Sequence, residues 1–177
     1  MARLTFSLHS SGVTNILLPN FFTLLARPVQ LLALGFGSGL APKAPGTFGT
    51  VAAIPFFLLM LYLPAWDYLL TTVICGVLGV YICQTAADQL GVHDHPAIVW
   101  DEFVGLWISL IPLVFMGFSW YGLMVGFILF RFFDIVKPWP ISYIDKHVGG
   151  GAGIMLDDVV AGAAAGLCLC GFVLWLT

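Results

Sequence analysis

The sequence predicts an all-α integral membrane protein, with about five membrane-spanning helices and interfacial helices at the N-terminus, on three observations. Of 177 residues, 60% are hydrophobic, 15% aromatic and only 8% charged. Mean hydropathy is +1.03, a value for a chain whose solvent is lipid. The charges also collect at the borders of the apolar runs. All six Lys and Arg residues and eight of the nine acids can be gathered at one end of the resulting bundle.

No linker, charge run, repeat or low-complexity tract divides residues 1–177, so one membrane-embedded domain is expected. Within it, residues 1–34 form an interfacial segment and residues 35–177 a helical bundle. The net charge of −3 says less than the local arrangement of charge, and nothing in it suggests a nucleic-acid partner. Cys75, Cys83, Cys168 and Cys170 lie in apolar stretches without zinc or redox spacing, and read as small core residues.

The run 16–25 imitates the apolar core of a signal peptide, but Pro19 interrupts it and no small-residue cleavage site follows. Arg27-Pro28 then breaks the apolar pattern. Residues 15–34 therefore read as one or two short helices lying at the interface. Five later segments reach the roughly 17 to 25 residues a crossing requires: 47–63, 68–87, 98–116, 120–136 and 154–175. Their connections alternate sides, and Arg3, Arg27, Lys43, Arg131, Lys137 and Lys146 all fall on the side of the N-terminus. By the positive-inside rule that side is cytoplasmic. The uncharged run 103–130 could be one long helix, but Gly117 and Ser119, followed by interfacial Trp120 and Tyr121, favour a turn.

Helical spacing sorts the charges by direction. Glu102, Gly105 and Ser109 form one small or polar stripe, whereas Asp101 lies above Val104 and Ile108, which makes Glu102 the better inward candidate. Asp158, Gly162 and Gly166 share a face, and Gly162-x-x-x-Gly166 permits close helix approach, read here as packing within the chain. Arg131 and Asp134 stand one turn apart on a third helix ended by Lys137-Pro138. Tyr81, Gln84, Thr85 and Asp88 make a polar stripe on a fourth. Four helix ends thus converge.

A plainer reading makes these charges an interfacial ring of snorkelling side chains and ion pairs. It suits Arg3, His9, Asp67, Asp145, Lys146 and His147 as ordinary surface residues. It suits Glu102, Asp134, Asp157 and Asp158 poorly, because apposed carboxylates repel unless a cation compensates them. Carboxylate oxygens without thiolates or paired histidines fit Mg²⁺, which takes one or two carboxylates, waters and phosphate oxygens.

Residues 35–47, Gly-Phe-Gly-Ser-Gly-Leu-Ala-Pro-Lys-Ala-Pro-Gly-Thr, add a candidate phosphate cradle. Glycines such as those flanking Ser38 turn backbone N–H groups toward an anion, Lys43 adds charge, and Thr47 is placed to cap the first spanning helix. The spacing is not that of a Walker loop, and plain Gly/Pro punctuation gives the same pattern. His93-Asp94-His95 invites a metal or phosphohistidine reading, but no further His or Cys completes a site.

The motifs together resemble the bacterial phosphatidylglycerophosphatase A family. They are residues 35–47, Gly91-Val92-His93-Asp94-His95, Trp100-Asp101-Glu102-Phe103-Val104-Gly105, Phe130-Arg131-Phe132-Phe133-Asp134 with Lys137-Pro138-Trp139-Pro140-Ile141, and Gly153-Ile154-Met155-Leu156-Asp157-Asp158-Val159-Val160-Ala161-Gly162. The resemblance covers nearly everything between Leu32 and Gly166, in order. It implies Mg²⁺-dependent hydrolysis of the terminal phosphomonoester of phosphatidylglycerophosphate, giving phosphatidylglycerol and phosphate at the cytoplasmic face of the bacterial plasma membrane.

With that substrate the residues take expected roles. Glu102 and Asp158, assisted by Asp157 and with Asp101 as a further candidate, hold Mg²⁺. Lys43, Arg131 and Lys137, with the cradle residues Ser38 and Thr47, bind phosphate oxygens. Asp134 is the candidate base for water, and a covalent aspartyl-phosphate is the alternative chemistry. Two other classes compete. A phosphatidyltransferase would share acidic helices and Mg²⁺, but its Asp-x-x-Asp-Gly-x-x-Ala-Arg pattern is not found. A small transporter or channel would also use intramembrane carboxylates, yet no polar stripe reaches the opposite side.

Overall fold

The computed structural model describes residues 24–92 and 95–176. Arg3, His9, His93, Asp94 and the start of the expected interfacial segment lie outside the described residues. Among those described, every regular element is helical: α1 (Pro28–Ala33), a 3-10 turn (Gly35–Leu40), α2 (Pro45–Met60), α3 (Ala65–Leu90), α4 (Trp100–Ser109), α5 (Ile111–Met116), α6 (Trp120–Val136), α7 (Ile141–His147) and α8 (Gly150–Leu176).

Local chemistry sets the boundaries. Pro45 opens α2, where its missing N–H needs no partner and its fixed φ suits the first turn. The N-cap is Ala44 in a left-handed conformation (φ 49°), so Thr47 lies inside the first turn and does not cap the helix as expected. After α5 the chain reverses: Gly117 takes φ 104°, and Ser119 caps α6 by accepting the Gly122 N–H at 3.0 Å. The run 103–130 is therefore a hairpin, as its turn residues predict. Its first arm breaks again at Leu110, because Pro112 has no N–H to donate to the Ile108 carbonyl.

These breaks correct the expectation of five spans. Two helices, α3 with 26 residues and α8 with 27, are long and apolar enough to cross a membrane. The others stop short, α2 at 16 residues, α6 at 17, and α4 and α5 at 10 and 6. At about 1.5 Å per residue, 17 residues reach roughly 25 Å against a hydrocarbon core of about 30 Å. Apolar runs in the sequence overstate helix length where turn residues such as Leu61 and Leu63 are themselves apolar. In each long helix only 28% of the most apolar window is buried, so most of that surface faces outward.

Helix α8 is central and packs against α4, α6, α3 and α7. It crosses α4 where two glycines meet: a Cβ on Gly162 would collide with the Gly105 backbone, and one on Gly105 would come within 2.9 Å of the Asp158 carbonyl oxygen. The Gly162 and Gly166 face is thus spent inside the chain, as expected. Aromatic donors tie neighbouring helices, with Tyr68 Oη donating to Trp107 O at 2.7 Å and Trp107 Nε1 to Ala53 O at 3.1 Å. The start of α2, the end of α3, the start of α4, the end of α6 and the first third of α8 share one end of the bundle. Aromatic pairs such as Phe57 with Phe118 and Trp66 with Phe115, each with centroids 6.4 Å apart, occupy the other.

Candidate active site

Arg131 is the hub of the charged end. Its Nη1 lies 2.7 Å from Asp134 Oδ2, one turn along α6, and 3.3 Å from Glu102 Oε1 on α4. The same nitrogen donates to Thr50 Oγ1 on α2 at 3.2 Å. Thr50 Oγ1 in turn lies 3.3 Å from Glu102 Oε2 and 2.9 Å from the Gly46 carbonyl. Its single hydrogen can serve one of these two acceptors at a time. Helix α2 approaches this closely because Gly46 and Gly49 face it. A Cβ on Gly46 would overlap the Glu102 carboxylate, and one on Gly49 would stand 2.7 Å from Glu102 Oε2.

The second focus is on α8. Asp157 and Asp158 are 7% and 3% exposed, and Asp158 lies within repulsive reach of Asp101, Glu102, Asp134 and Asp157. Asp101 therefore joins the inward cluster, contrary to the expectation from its neighbours Val104 and Ile108. The reason is tertiary: α4 is packed by α2, α3, α6 and α8, so more than one of its faces is covered.

Asp157 Oδ2 is held by Lys137 Nζ at 2.6 Å, and the same ammonium binds Asp145 Oδ1 on α7 at 2.5 Å. Asp145 is thus an ion-pair partner of the site, not the ordinary surface residue its exposed loop setting suggests. Lys137 itself closes α6 in a left-handed conformation (φ 45°). Partial burial lowers the pKa of its ammonium, but the hydrogen bonds and charges of Asp145 and Asp157 outweigh that and hold it above the ordinary lysine value.

Five carboxylates, of Asp101, Glu102, Asp134, Asp157 and Asp158, thus face two cations. Among the described residues, four buried side-chain atoms are left without a hydrogen-bond partner: Asp101 Oδ1, Asp157 Oδ1, Asp158 Oδ2 and Arg131 Nε. Spare carboxylate oxygens are what a hard divalent cation requires, and a spare guanidinium N–H is what a phosphate oxygen requires. Among the described residues no group of three or more His, Cys, Asp or Glu side chains is arranged to hold a metal ion.

The glycine-rich stretch leads into α2 beside the cluster, where Gly46 lies against Glu102. Ser38 Oγ donates to the Gly35 carbonyl at 2.8 Å within the 3-10 turn. Lys43 is exposed, and among the described residues the cluster's ion pairs are made by Arg131 and Lys137. Thr47 is half-buried in the first turn of α2. The residue that sequence reasoning passed over is Thr50, which is completely buried. Its only signal was a hydroxyl one turn beyond Gly46, in a helix whose other polar side chain is Thr47.

Comparison with known proteins bears directly on this arrangement. The family model described as Phosphatidylglycerophosphatase A matches residues 31–173. A phosphatidylglycerophosphatase A of Escherichia coli K12 is 51% identical over 139 residues, covering 78% of this chain and 79% of its own. One from Haemophilus influenzae is 45% identical over 153 residues, 86% of this chain and 93% of its own. A Bacteroides thetaiotaomicron protein, 39% identical over 136 residues and covering 75% of this chain and 85% of its own, bears the provisional name phosphatidylinositol-3-phosphatase. No solved structure matches.

Proposed function

The chain belongs to the phosphatidylglycerophosphatase A family, and from that premise we propose that it hydrolyses the terminal phosphomonoester of phosphatidylglycerophosphate at the cytoplasmic face of a bacterial inner membrane, with Mg²⁺ as cofactor. The observation that carries this reading is the cluster of five buried or half-buried carboxylates around Arg131 and Lys137, with oxygens to spare. A phosphomonoester bears about −1.5 to −2 charges at neutral pH, so a site for it needs cations, and a site rich in carboxylates needs one more cation than the protein supplies.

In this reading Asp101, Asp157, Asp158 and Glu102 would hold Mg²⁺, which would supply charge neutralisation and Lewis-acid polarisation of the phosphate there. Arg131 binds phosphate oxygens through the N–H groups its carboxylates leave unused. Lys137 keeps Asp157 in place and directs its third N–H toward the same phosphate. Asp134, held by Arg131, accepts the proton of the attacking water as the new P–O bond forms and the ester P–O bond to glycerol breaks. The departing alkoxide takes up a proton to become the free hydroxyl of phosphatidylglycerol. An aspartyl nucleophile would use the same residues with one carboxylate in place of water.

The membrane placement follows from physical need. Outward apolar surface on α3 and α8 calls for lipid, and both helices are long enough to cross it. The basic residues then lie on the cytoplasmic side. Phosphate release by purified protein from defined lipids tests the function: phosphatidylglycerophosphate should be turned over, with phosphatidic acid and phosphatidylinositol 3-phosphate much slower. A preference for either of the latter would overturn the assigned substrate.

A further inference from the structure

An apolar furrow runs down the outside of the bundle from beneath the acid cluster. Two cavities compose it, one of about 320 Å³ between α3, α4 and α8 and one of about 550 Å³ between α4/α5 and α8, and Ile108 and Ile111 line both. On α8 the lining residues Met155, Leu156, Val159, Ala163, Leu167 and Cys170 recur at helical spacing along one face. From the first to the last the furrow extends about 22 Å along the helix axis.

Its upper end adjoins the site. Met155 lies one turn before Asp158 and Val159 follows it, and Val104 stands one turn beyond Asp101, so the upper lining belongs to the same helical turns as those two acids, each of which has a partnerless oxygen. Its lower end reaches Met116, at the aromatic end of the bundle. Thr72 contributes a hydroxyl to the upper wall, but that hydroxyl already donates to Tyr68 O at 2.9 Å. Gly76 leaves the upper wall low, since a Cβ there would meet only Val104 at 3.6 Å.

We infer that this furrow binds one acyl chain of the phospholipid whose phosphate occupies the acid cluster. The inference rests on the proposed action of that cluster on a lipid phosphomonoester. A diacyl lipid places an anionic headgroup a few bonds from the start of a long apolar chain, and the protein places a cation-demanding cluster at the head of a long apolar furrow. A packed helix of a second copy would need only the apolar part. Lipid tails are as apolar as the furrow walls, so occupancy adds little hydrophobic free energy. What it contributes is orientation, since a chain fixed along α8 limits where the headgroup can sit.

The test is Ala163→Trp. Ala163 is exposed, so the added ring covers the lower furrow without entering the core. Ile128→Trp on α6, 59% exposed and outside the furrow, is the control. Phosphatidylglycerophosphate with two oleoyl chains is compared with its dihexanoyl counterpart, which reaches only the upper cavity, in the same detergent. The ratio of kcat/KM for long over short chains should fall at least fivefold in Ala163→Trp and stay unchanged in Ile128→Trp. An unchanged ratio in Ala163→Trp, or equal losses on both lipids, would overturn the inference. So would a dimer of the unaltered protein that Ala163→Trp dissociates, because the face would then belong to a second copy. Release of phosphate from neither lipid by the unaltered protein would instead sink the phosphatase reading on which the furrow depends.

Discussion

Replacing Thr50 by Val separates a working network from a passive ring of charge. Val keeps the shape of the side chain and deletes the hydroxyl that accepts from Arg131 at 3.2 Å and lies 3.3 Å from Glu102. Thr50 is 0% exposed, so water cannot replace the lost group. A hydrogen bond to a charged partner contributes about 1.5 to 3 kcal/mol. If that energy holds Arg131 and Glu102 where the transition state needs them, at about 1.4 kcal/mol per factor of ten the loss in kcat/KM is roughly 10- to 150-fold. The assay is phosphate release by purified protein, paired with thermal unfolding. Thr50→Ser keeps the hydroxyl and removes a buried methyl, so it should keep most activity while melting lower, whereas Thr50→Val should lose activity while remaining folded. Activity of a folded Thr50→Val within threefold of the unaltered protein would refute the reasoning.

Three further outcomes follow from the same geometry. Asp145→Asn leaves Lys137 paired with Asp157, and because the lost pair is partly exposed, worth about 0 to 1 kcal/mol, kcat/KM should fall less than about fivefold; Lys137→Met, which strands Asp157, should lose far more in the same assay. A chelator should abolish phosphate release and added Mg²⁺ should restore it, whereas full turnover by metal-free protein would exclude the cofactor. A reporter fused after Thr177, beyond the end of α8 opposite its two aspartates, should lie on the periplasmic side, and a cytoplasmic signal would overturn the cytoplasmic placement of the acid cluster.

What the sequence made legible were features fixed by local rules. The Gly117 and Ser119 reversal, the Arg131 and Asp134 pair one turn apart, and the face shared by Asp158, Gly162 and Gly166 each depend on spacing within one element, and each is found. What escaped were features that depend on which faces of a helix are covered. Asp101 turns inward because α4 is surrounded, and Asp145 joins the site because the left-handed turn at Lys137 aims an ammonium between α7 and α8. Thr50 acquires its role only when Gly46 lets α2 close on Glu102. Membrane spans were overcounted for a different reason, since hydropathy does not register the missing N–H of Pro112 that parts α4 from α5.

The central claim is that the buried acid cluster is where phosphate is released, and charge-neutral substitution within it is the most direct test. Glu102→Gln and Asp158→Asn nearly preserve volume while removing the charge that should hold Mg²⁺. Measured on phosphatidylglycerophosphate with purified, folded protein, each should lower turnover by about two orders of magnitude or more. If both variants turn the lipid over at close to the unaltered rate, the cluster only orients the bundle and the reaction takes place elsewhere.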